Sequence, residues 1–269
     1  MIRVSIVVPV YNQHAPFVAQ CINSCVSQIV PRDVEVQTVI VDDGSTNNWY
    51  DEVDLTGVKF IRNESNNGAP AAANQGIRES NGDFIQVLSS DDYFYQHKTE
   101  VQLGLMRNHN LDMTYTGGAE FWLSPEHSID SMRVNMPPDI HSLDGKVHFD
   151  EMVKKDFGNN FVNGASTMFT RELFDKVGGY DETLIYKPDY DMWLRMFSIC
   201  KAAGVPLDLM ARRNHDNQTK DIMRKAGKKP ERYIRSIEYA KIKLKWKPTI
   251  LPVTQVGIDI DALRQEGLY

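Results

Sequence analysis

The sequence is poor in cysteine, and its few cysteines show no pattern. They number three and include no Cys-x-x-Cys pair, so no disulfide framework is predicted. Cys21 and Cys25 share the apolar side of a predicted helix, where they are either ligands or core residues. Because buried free cysteine is much the commoner case, we expect both in the core.

Long apolar runs are also absent. No stretch approaches the ~20 apolar residues that cross a bilayer. The apolar start of the chain breaks at Pro9 and has no small-residue cleavage site, which predicts a first strand and not a signal peptide. The net charge of -6 argues against nucleic acid as a partner. We therefore expect a cytoplasmic enzyme.

The nucleotide-binding loops with the best-known sequence signatures are missing too. No Walker-type loop and no Gly-rich dinucleotide fingerprint follows any predicted strand. The 269 residues do contain enough apolar side chains, 42% of the total, to build the core of one large α/β domain or two small ones.

Strands and helices alternate through the first half of the chain. Apolar residues recur with a helical period from Phe17 to Val26, and the small residues from Ala69 to Glu79 predict a second helix. Such alternation predicts parallel strands joined by right-handed helical crossovers. The predicted strands are Val4–Val10, Val34–Val41, Val58–Ile61 and Phe84–Leu88.

Two adjacent carboxylates, Asp91 and Asp92, follow the fourth of these strands. Ligands bind beyond the carboxyl ends of the strands in open α/β sheets, and two bare charges buried there would be unfavourable. Hard oxygen ligands suit Mg²⁺ or Mn²⁺, and Mg²⁺ usually binds through one or two carboxylates together with substrate phosphates. The alternative is that the two residues cap the following helix.

A second acidic pair, Asp42 and Asp43, follows the second strand, so both pairs can face one crevice. A carboxylate in such a place can accept hydrogen bonds from a base or from ribose hydroxyls. Tyr11 and Asn12, directly after the first strand, add an aromatic face and an amide at the same edge. The alternative for Asp43-Gly44-Ser45 is an ordinary turn.

Taken in order, these motifs resemble the family 2 glycosyltransferases of the GT-A fold over roughly residues 3–217. The resemblance implies one α/β domain of Rossmann-like type, with a mixed, mostly parallel sheet flanked by helices. It implies a nucleotide-binding half, 1–110, an acceptor half, 111–217, and a helical basic C-terminal extension, 218–269. The motifs that carry it are Val4–Asn12, Val39–Thr46, Asn66–Gly68, Asn74–Ile77, Gly82–Ile85, Ser90–Asp92, Lys176–Glu182 and Asp189–Arg195.

The resemblance also implies which residues bind the donor and a metal ion. Mn²⁺ or Mg²⁺ would lie on the donor diphosphate, held by Asp91, Asp92 and His215, the last in a turn like the family's Arg-x-His. A lone imidazole is otherwise more often a satisfied surface or core group. The implied nucleotide-binding residues are Pro9, Tyr11, Asn12, Asp43, Gly68, Asn74, Ser90 and Asp91.

By the same resemblance Asp189 is the catalytic base. A carboxylate within reach of the acceptor hydroxyl assists its deprotonation, while a bound cation neutralises the departing phosphate. The alternative is that Asp189 caps a helix that begins there, and Asp191 is interpreted as structural. The chain has Pro188 and Ala73 where the family commonly has an acid and an arginine, so a cation for the donor would come from Arg78 or from the C-terminal region.

The acceptor half is less regular. A strand from Leu111 to Thr116 is predicted, and residues 119–123 are predicted to continue in extended form. Residues 124–148 predict a loop or a lid. Trp122 is a candidate sugar platform because it lies in this half. Asn163 and Gly164, small polar residues before a strand at 167–170 and a helix at 171–177, are candidate acceptor contacts.

Residues 220–247 carry eleven Lys and Arg and three acidic residues, so their net charge is +8 and that of the remainder is -14. Three interpretations stay open. Helices here could pack on the domain with a solvated basic face. They could instead close over the donor diphosphate as a cationic clamp, or rest on an anionic membrane at its inner face, near a lipid-linked acceptor.

The sequence therefore predicts an inverting, metal-dependent glycosyltransferase in polysaccharide biosynthesis. Its expected partners are a nucleotide-diphosphate sugar, with UDP as the nucleotide, and a glycan or lipid-linked acceptor. The alternative, suggested by Pro188, is a non-catalytic protein of the same fold that binds a nucleotide or a glycan.

Overall fold

The computed structural model describes residues 1–123, 129–135, 138, 140, 142–157, 160–215, 237–243 and 245–246. For residues 122–123, 129–135 and 155–157 only the backbone is described. The chain divides into two compact units, Met1–Gln218 and Thr219–Tyr269. In the second unit, residues 237–243 and 245–246 are helical. The interpretations of the basic segment 220–247 fall mainly outside the described residues and stay predictions.

The first half of the larger unit is a parallel α/β layer, as the sequence predicts. Its strands pair in parallel in the order β3-β2-β1-β4. The helices lie at the predicted places. The elements are β1 (Ile2–Val10), α1 (Ala15–Val26), β2 (Val34–Asp42), β3 (Val58–Arg62), α2 (Ala69–Arg78) and β4 (Phe84–Val87).

The remaining elements extend the same sheet in the order β3-β2-β1-β4-β8-β6-β9-β5, with β7 paired to β6. They are β5 (Tyr93–Phe94), α3 (Lys98–His109), β6 (Met113–Leu123), β7 (Ile129–Asn135), α4 (Gly145–Phe157), β8 (Thr167–Thr170), α5 (Arg171–Val177), α6 (Pro188–Phe197) and β9 (Ala202–Asn214). Here β4–β8, β6–β8, β6–β7 and β5–β9 are antiparallel and β6–β9 is parallel. The predicted mixed sheet is confirmed, with its parallel pairs concentrated in the first half.

The prediction of a loop is wrong for residues 129–135, which form β7, and for residues 145–148, which begin α4. β7 pairs antiparallel with β6, which supplies its backbone hydrogen bonds although its sequence alternates only weakly. The helix α4 begins at Gly145, where an added Cβ would lie 2.3 Å from the Cys200 carbonyl oxygen. Contact with a distant part of the chain therefore fixes this helix start, and local sequence could not reveal it.

The core of the first half lies between α1 and the sheet. Cys21 and Cys25 are fully buried there together with Val18 and Ile22, which confirms their predicted place in the core. Burying an aliphatic side chain of this size stabilises a fold by about 1.5–3 kcal/mol. None of the helices that the structure describes is both long enough and apolar enough to span a membrane.

Candidate active site

The parallel pairing of β1 with β2 and β4 places the carboxyl ends of these strands at one edge of the sheet. The segments that follow them hold Tyr11 and Asn12, the Asp42-Asp43 pair, and the Asp91-Asp92 pair. The predicted placement of these segments at one edge of the sheet is confirmed. How each side chain is used there depends on its partners.

Asp42 is a structural residue. It is fully buried, and one of its oxygens accepts a hydrogen bond from the Trp49 indole N–H at 3.2 Å. Its other oxygen lies 3.2 Å from Nε of Arg62, whose guanidinium lies over the ring of Tyr50. Both carboxylate oxygens thus face partners from the same chain.

Asp43 organises the loop that precedes α2. Its carboxylate accepts hydrogen bonds from the Asn63 side chain at 3.0 Å and from the backbone N–H groups of Asn67 and Gly68 at 3.1 and 2.8 Å. Gly44 allows the loop to come this close, because it has φ +73° and an added Cβ would lie 2.6 Å from the Ser65 carbonyl carbon. The two interpretations of Asp43-Gly44-Ser45 are compatible, because a turn at this position still lies at the edge of the sheet.

Asn12 fixes the neighbouring turn. It has φ +49°, and its side-chain oxygen accepts hydrogen bonds from the backbone N–H groups of Thr46 and Asn47 at 2.7 and 3.2 Å. Its own N–H donates to the Ser45 hydroxyl at 2.8 Å. Tyr11, by contrast, is 46% exposed, so its ring is available to a ligand. Pro9 is half-buried at the end of β1.

The end of β9 holds the Asp91-Asp92 pair in place. Nε2 of His215 lies 3.1 Å from an Asp91 carboxylate oxygen, and both side chains are largely buried. Asp92 is turned the other way, and its oxygen accepts the backbone N–H of Arg213 at 2.9 Å. Burial and the neighbouring charge of Asp91 raise the pKa of the Asp92 carboxyl well above its usual value. Ser90, just before the pair, is buried.

Arg213 clamps this loop. Its Nε donates to the Asp91 carbonyl oxygen at 2.8 Å, and its guanidinium also donates to the Gln20 side chain on α1. The guanidinium carbon lies 4.2 Å from the ring centre of Phe17 and 5.1 Å from that of Phe121. Stacking and directed hydrogen bonds together require the planar fork of arginine.

Asp189 lies in the first turn of α6, after Pro188 and with Lys187 as the N-cap residue. Asp189 therefore does not cap the helix, although its oxygen accepts the backbone N–H of Tyr190 at 2.8 Å. Burial raises the pKa of its carboxyl, against the lowering effect of the Tyr190 N–H, Lys187 and Arg212. A half-buried carboxylate with a raised pKa is a favourable candidate for a general base.

One of the candidate acceptor residues, Gly164, adjoins Asp189. An added Cβ on Gly164 would lie 4.0 Å from the Asp189 Cβ, so glycine leaves room beside the carboxylate. Asn163 is bound locally, since its side-chain oxygen accepts the Ala165 N–H at 2.9 Å. Trp122 lies in β6, but its side chain is outside the described part of the chain.

Asn74 lies on α2, and its amide faces the segment around Tyr180. It is hydrogen-bonded to the backbone of Tyr180 and to Glu182. Arg78 is exposed in the last turn of the same helix. At 1.5 Å per residue, it lies about 13 Å along the axis from Ala69, at the end remote from the loop that Asp43 organises.

Asp91 and His215 are the pair best placed to hold a divalent cation. In the described residues no group of three or more His, Cys, Asp or Glu side chains is arranged as a complete metal site. Two donors 3.1 Å apart still fit an ion whose remaining ligands are phosphate oxygens and water. The donor set therefore suits a cation that binds together with a diphosphate.

The family model described as Glycosyl transferase family 2 matches residues 5–178, well over half of the chain. The chain belongs to glycosyl transferase family 2. Asp189, Arg213 and His215 lie beyond the matched segment, so their roles rest on geometry.

Relatives and a solved structure agree with the family. An uncharacterized glycosyltransferase of Rickettsia typhi is 28% identical over 232 residues, 80% of this chain and 65% of that protein. The chondroitin synthase of Pasteurella multocida is 26% identical over 203 residues, 74% of this chain and 19% of that protein. The chain thus spans 65% or less of the length of these relatives. The crystal structure of S. aureus TarS 1-349 in complex with UDP-GlcNAc has a TM-score of 0.61 at 13% identity, over 93% of this chain and 76% of that chain, which shows the GT-A fold.

Sequence reasoning missed Arg212 as part of this candidate site. It pairs with Glu120 of β6 at 3.1 Å, and its charge lowers the pKa of both the Asp92 and Asp189 carboxyls. Ninety-two positions separate the two partners, so only the parallel register of β6 and β9 brings them together. In the sequence, the one local indication of this role is the pair of adjacent arginines, Arg212 and Arg213.

Proposed function

We propose that this chain is an inverting glycosyltransferase that moves a sugar from a nucleoside-diphosphate sugar, with UDP as the nucleotide, to a hydroxyl group of a glycan or a lipid-linked acceptor. One observation carries the proposal. Asp92, next to the Asp91–His215 pair at the carboxyl end of the sheet, and the half-buried Asp189 both lie near the charge of Arg212, which partly offsets the raised pKa of each carboxyl. A candidate cation-binding pair and a candidate base thus lie near the same positive charge, that of Arg212.

The donor side of the site would be formed by the nucleotide-binding half. Tyr11 offers an exposed ring to a nucleobase, and Asp43 binds the loop from Asn63 to Gly68. Asp91 and His215 would hold Mn²⁺ or Mg²⁺ with the diphosphate. When bound, such a cation acts as a Lewis acid on the departing phosphate. Family membership and the TarS complexes with UDP and UDP-GlcNAc support this donor class.

Asp189 would act on the acceptor. Its carboxylate takes the proton of the attacking hydroxyl while the new glycosidic C–O bond forms and the bond from the anomeric carbon to the phosphate oxygen breaks. Attack on the face opposite the leaving group inverts the anomeric configuration. The space beside Gly164 leaves room for the attacking group. Pro188 does not argue against this chemistry, because it occupies the first helical position, where proline is favoured for structural reasons.

The test is release of UDP from a panel of UDP-sugars with Mn²⁺, for the wild type, Asp189→Asn and Asp175→Asn. Asp175 is an exposed acid on α5 and serves as the matched control. We expect one donor to be turned over, chelation to stop the reaction, and Asp189→Asn to lower the rate by about 10²–10⁴-fold. Asp175→Asn should behave like the wild type.

The same enzyme should show a defined pH dependence. Burial raises the pKa of Asp189 above its ordinary value, so the base becomes protonated, and the rate falls, as the pH decreases through that raised value. This acidic limb should be absent from the residual activity of Asp189→Asn. Equal rates in wild type and Asp189→Asn would remove Asp189 as the base, and no metal-dependent binding of any nucleotide would refute the proposal.

A further inference from the structure

The side chain of Asn74 binds the backbone of a residue 106 positions later. Its oxygen accepts the Tyr180 N–H at 2.9 Å, and its amide nitrogen donates to the Tyr180 carbonyl oxygen at 2.9 Å and to a Glu182 carboxylate oxygen at 2.9 Å. The fixed polarity of the backbone groups sets which way the amide points. Both donor hydrogens of the amide are thereby used.

The close approach of this segment to Asn74 requires a glycine at position 179. It has φ +79°, and an added Cβ would lie 2.7 Å from the Asn74 oxygen and 3.0 Å from the Phe174 ring. Any other residue would both strain the backbone and push the segment away from Asn74. Asn74 is 2% exposed, so loss of these hydrogen bonds would leave buried polar groups unpaired.

The contact joins the two functional halves of the site. The start of α2 is fixed to the proposed nucleotide-binding loop, because the Gly68 N–H donates to Asp43. Farther along α2, Gly76 is in close contact with β1 and β2. Tyr180 begins the segment that leads to Asp189, and its ring lies edge-to-face against Trp193 of α6, at 6.2 Å. The charge of Asp189 is among the causes that raise the pKa of Tyr180, so the two side chains are close.

We propose that Asn74 is a positioning residue that sets Asp189 relative to the bound donor, and that it does not bind the donor itself. The proposal rests on the glycosyltransferase function proposed above. A phosphate ligand needs a free donor hydrogen, and the amide of Asn74 has already committed both of its own to Tyr180 and Glu182. Displacing a reacting group by about 1 Å can lower a rate by about 10²-fold.

The next residue on the helix provides a matched comparison. Gln75 exchanges two hydrogen bonds with Asn63, at 2.9 and 3.0 Å, and Asn63 in turn donates to Asp43. Adjacent amides on one helix therefore bind two different segments of the chain. Asn74 binds the segment that leads to Asp189, and Gln75 binds the loop before α2.

The experiment compares Asn74→Ala with Gln75→Ala in the full chain, measuring kcat for UDP release and the Kd of UDP with Mn²⁺. We expect Asn74→Ala to lower kcat by about 10- to 100-fold with the Kd of UDP unchanged within twofold. Gln75→Ala should weaken UDP binding and leave kcat at saturating donor much less affected. A weaker UDP affinity with unchanged kcat in Asn74→Ala would overturn the inference, as would no change in either quantity.

Two charge variants test the hydrogen bonds directly. Asn74→Asp keeps the acceptor for the Tyr180 N–H but turns a negative charge toward the Tyr180 carbonyl and Glu182, so kcat should fall as in Asn74→Ala. Adding Glu182→Gln removes the repulsion and supplies a new donor, so it should restore part of kcat. A double variant no better than Asn74→Asp would contradict the assigned contact between the two side chains.

Amide hydrogen exchange separates this inference from the proposed function. In Asn74→Ala, residues 178–189 should exchange faster while residues 63–68 are unaffected, because only the first segment loses its anchor. Wild-type protein that turns over no nucleotide sugar would count against the proposed function alone. Equal exchange of residues 178–189 in both proteins would overturn the positioning role whatever the activity.

Discussion

Two acidic pairs end two strands of the same sheet, yet they are used in opposite ways. Asp42 and Asp43 are both buried, and their oxygens bind Trp49, Arg62 and the loop before α2. Asp91, in the other pair, directs a carboxylate oxygen at His215. The first pair is bound to groups of the same chain, whereas Asp91 of the second pair is the residue proposed to bind a cation together with His215.

The comparison teaches that the position of a carboxylate does not reveal its task. Both pairs follow a buried parallel strand, and both lie where ligands bind in such sheets. They differ in the polar hydrogens nearby. Backbone N–H groups at 67 and 68 satisfy Asp43, whereas the neighbour of Asp91 is an imidazole that can share a cation with it. Mutations at each pair should therefore change different properties.

Among variants of the two acidic pairs and of Arg213, the largest effect is expected for Asp91→Asn. Loss of one cation ligand should reduce Mn²⁺-dependent UDP release by about 10²–10³-fold, since the cation's contribution to the transition state amounts to several kcal/mol. Thermal stability should not fall, because the charge of Asp91 already acts unfavourably on Asp92. Calorimetric titration of Mn²⁺ with UDP and thermal denaturation measure the two effects. A variant that melts much earlier but retains metal-dependent binding would place Asp91 with the structural pair.

A second effect, opposite in kind, is expected for Asp43→Asn. The amide cannot accept all the hydrogen bonds that Asn63, Asn67 and Gly68 donate, so the free energy of unfolding should fall by about 2–4 kcal/mol. Urea denaturation measures it, with the exposed Asp51→Asn as a control that should leave stability unchanged. If Asp43→Asn kept full stability and lost only UDP affinity, the distinction between the two pairs would fail.

The smallest effect is expected for Arg213→Lys. Lysine keeps the charge but cannot stack between Phe17 and Phe121 while donating to both Asp91 and Gln20, so unfolding should become easier by about 1–2 kcal/mol. Metal-dependent UDP release should fall by about tenfold as the loop loosens. Arg107→Lys, at an exposed ion pair with Asp33, should change stability by less than about 1 kcal/mol. Equal changes of stability and of UDP release in Arg213→Lys and Arg107→Lys would contradict the role of Arg213 as a clamp.

The sequence predicted the α/β architecture well where signals are local. The four parallel strands, the helices after β1 and β3, and the strand and helix from Thr167 to Val177 are found as predicted. The pairing of β7 and the start of α4 depend on partners far along the chain, and there the predicted loop was wrong. The helix around Asp189 was predicted, but its N-cap is Lys187.

The sequence by itself determined the strand-end acids, the crevice they face and the family to which the chain belongs, because apolar periodicity and short motifs are properties of neighbouring residues. Tertiary structure decided which acids remain available, that Arg212 joins the site, and that Asn74 faces Tyr180. The physical reason is that a hydrogen bond or a charge acts over a few ångströms in space. Residues separated by 92 to 124 positions in the chain become neighbours only when the sheet forms.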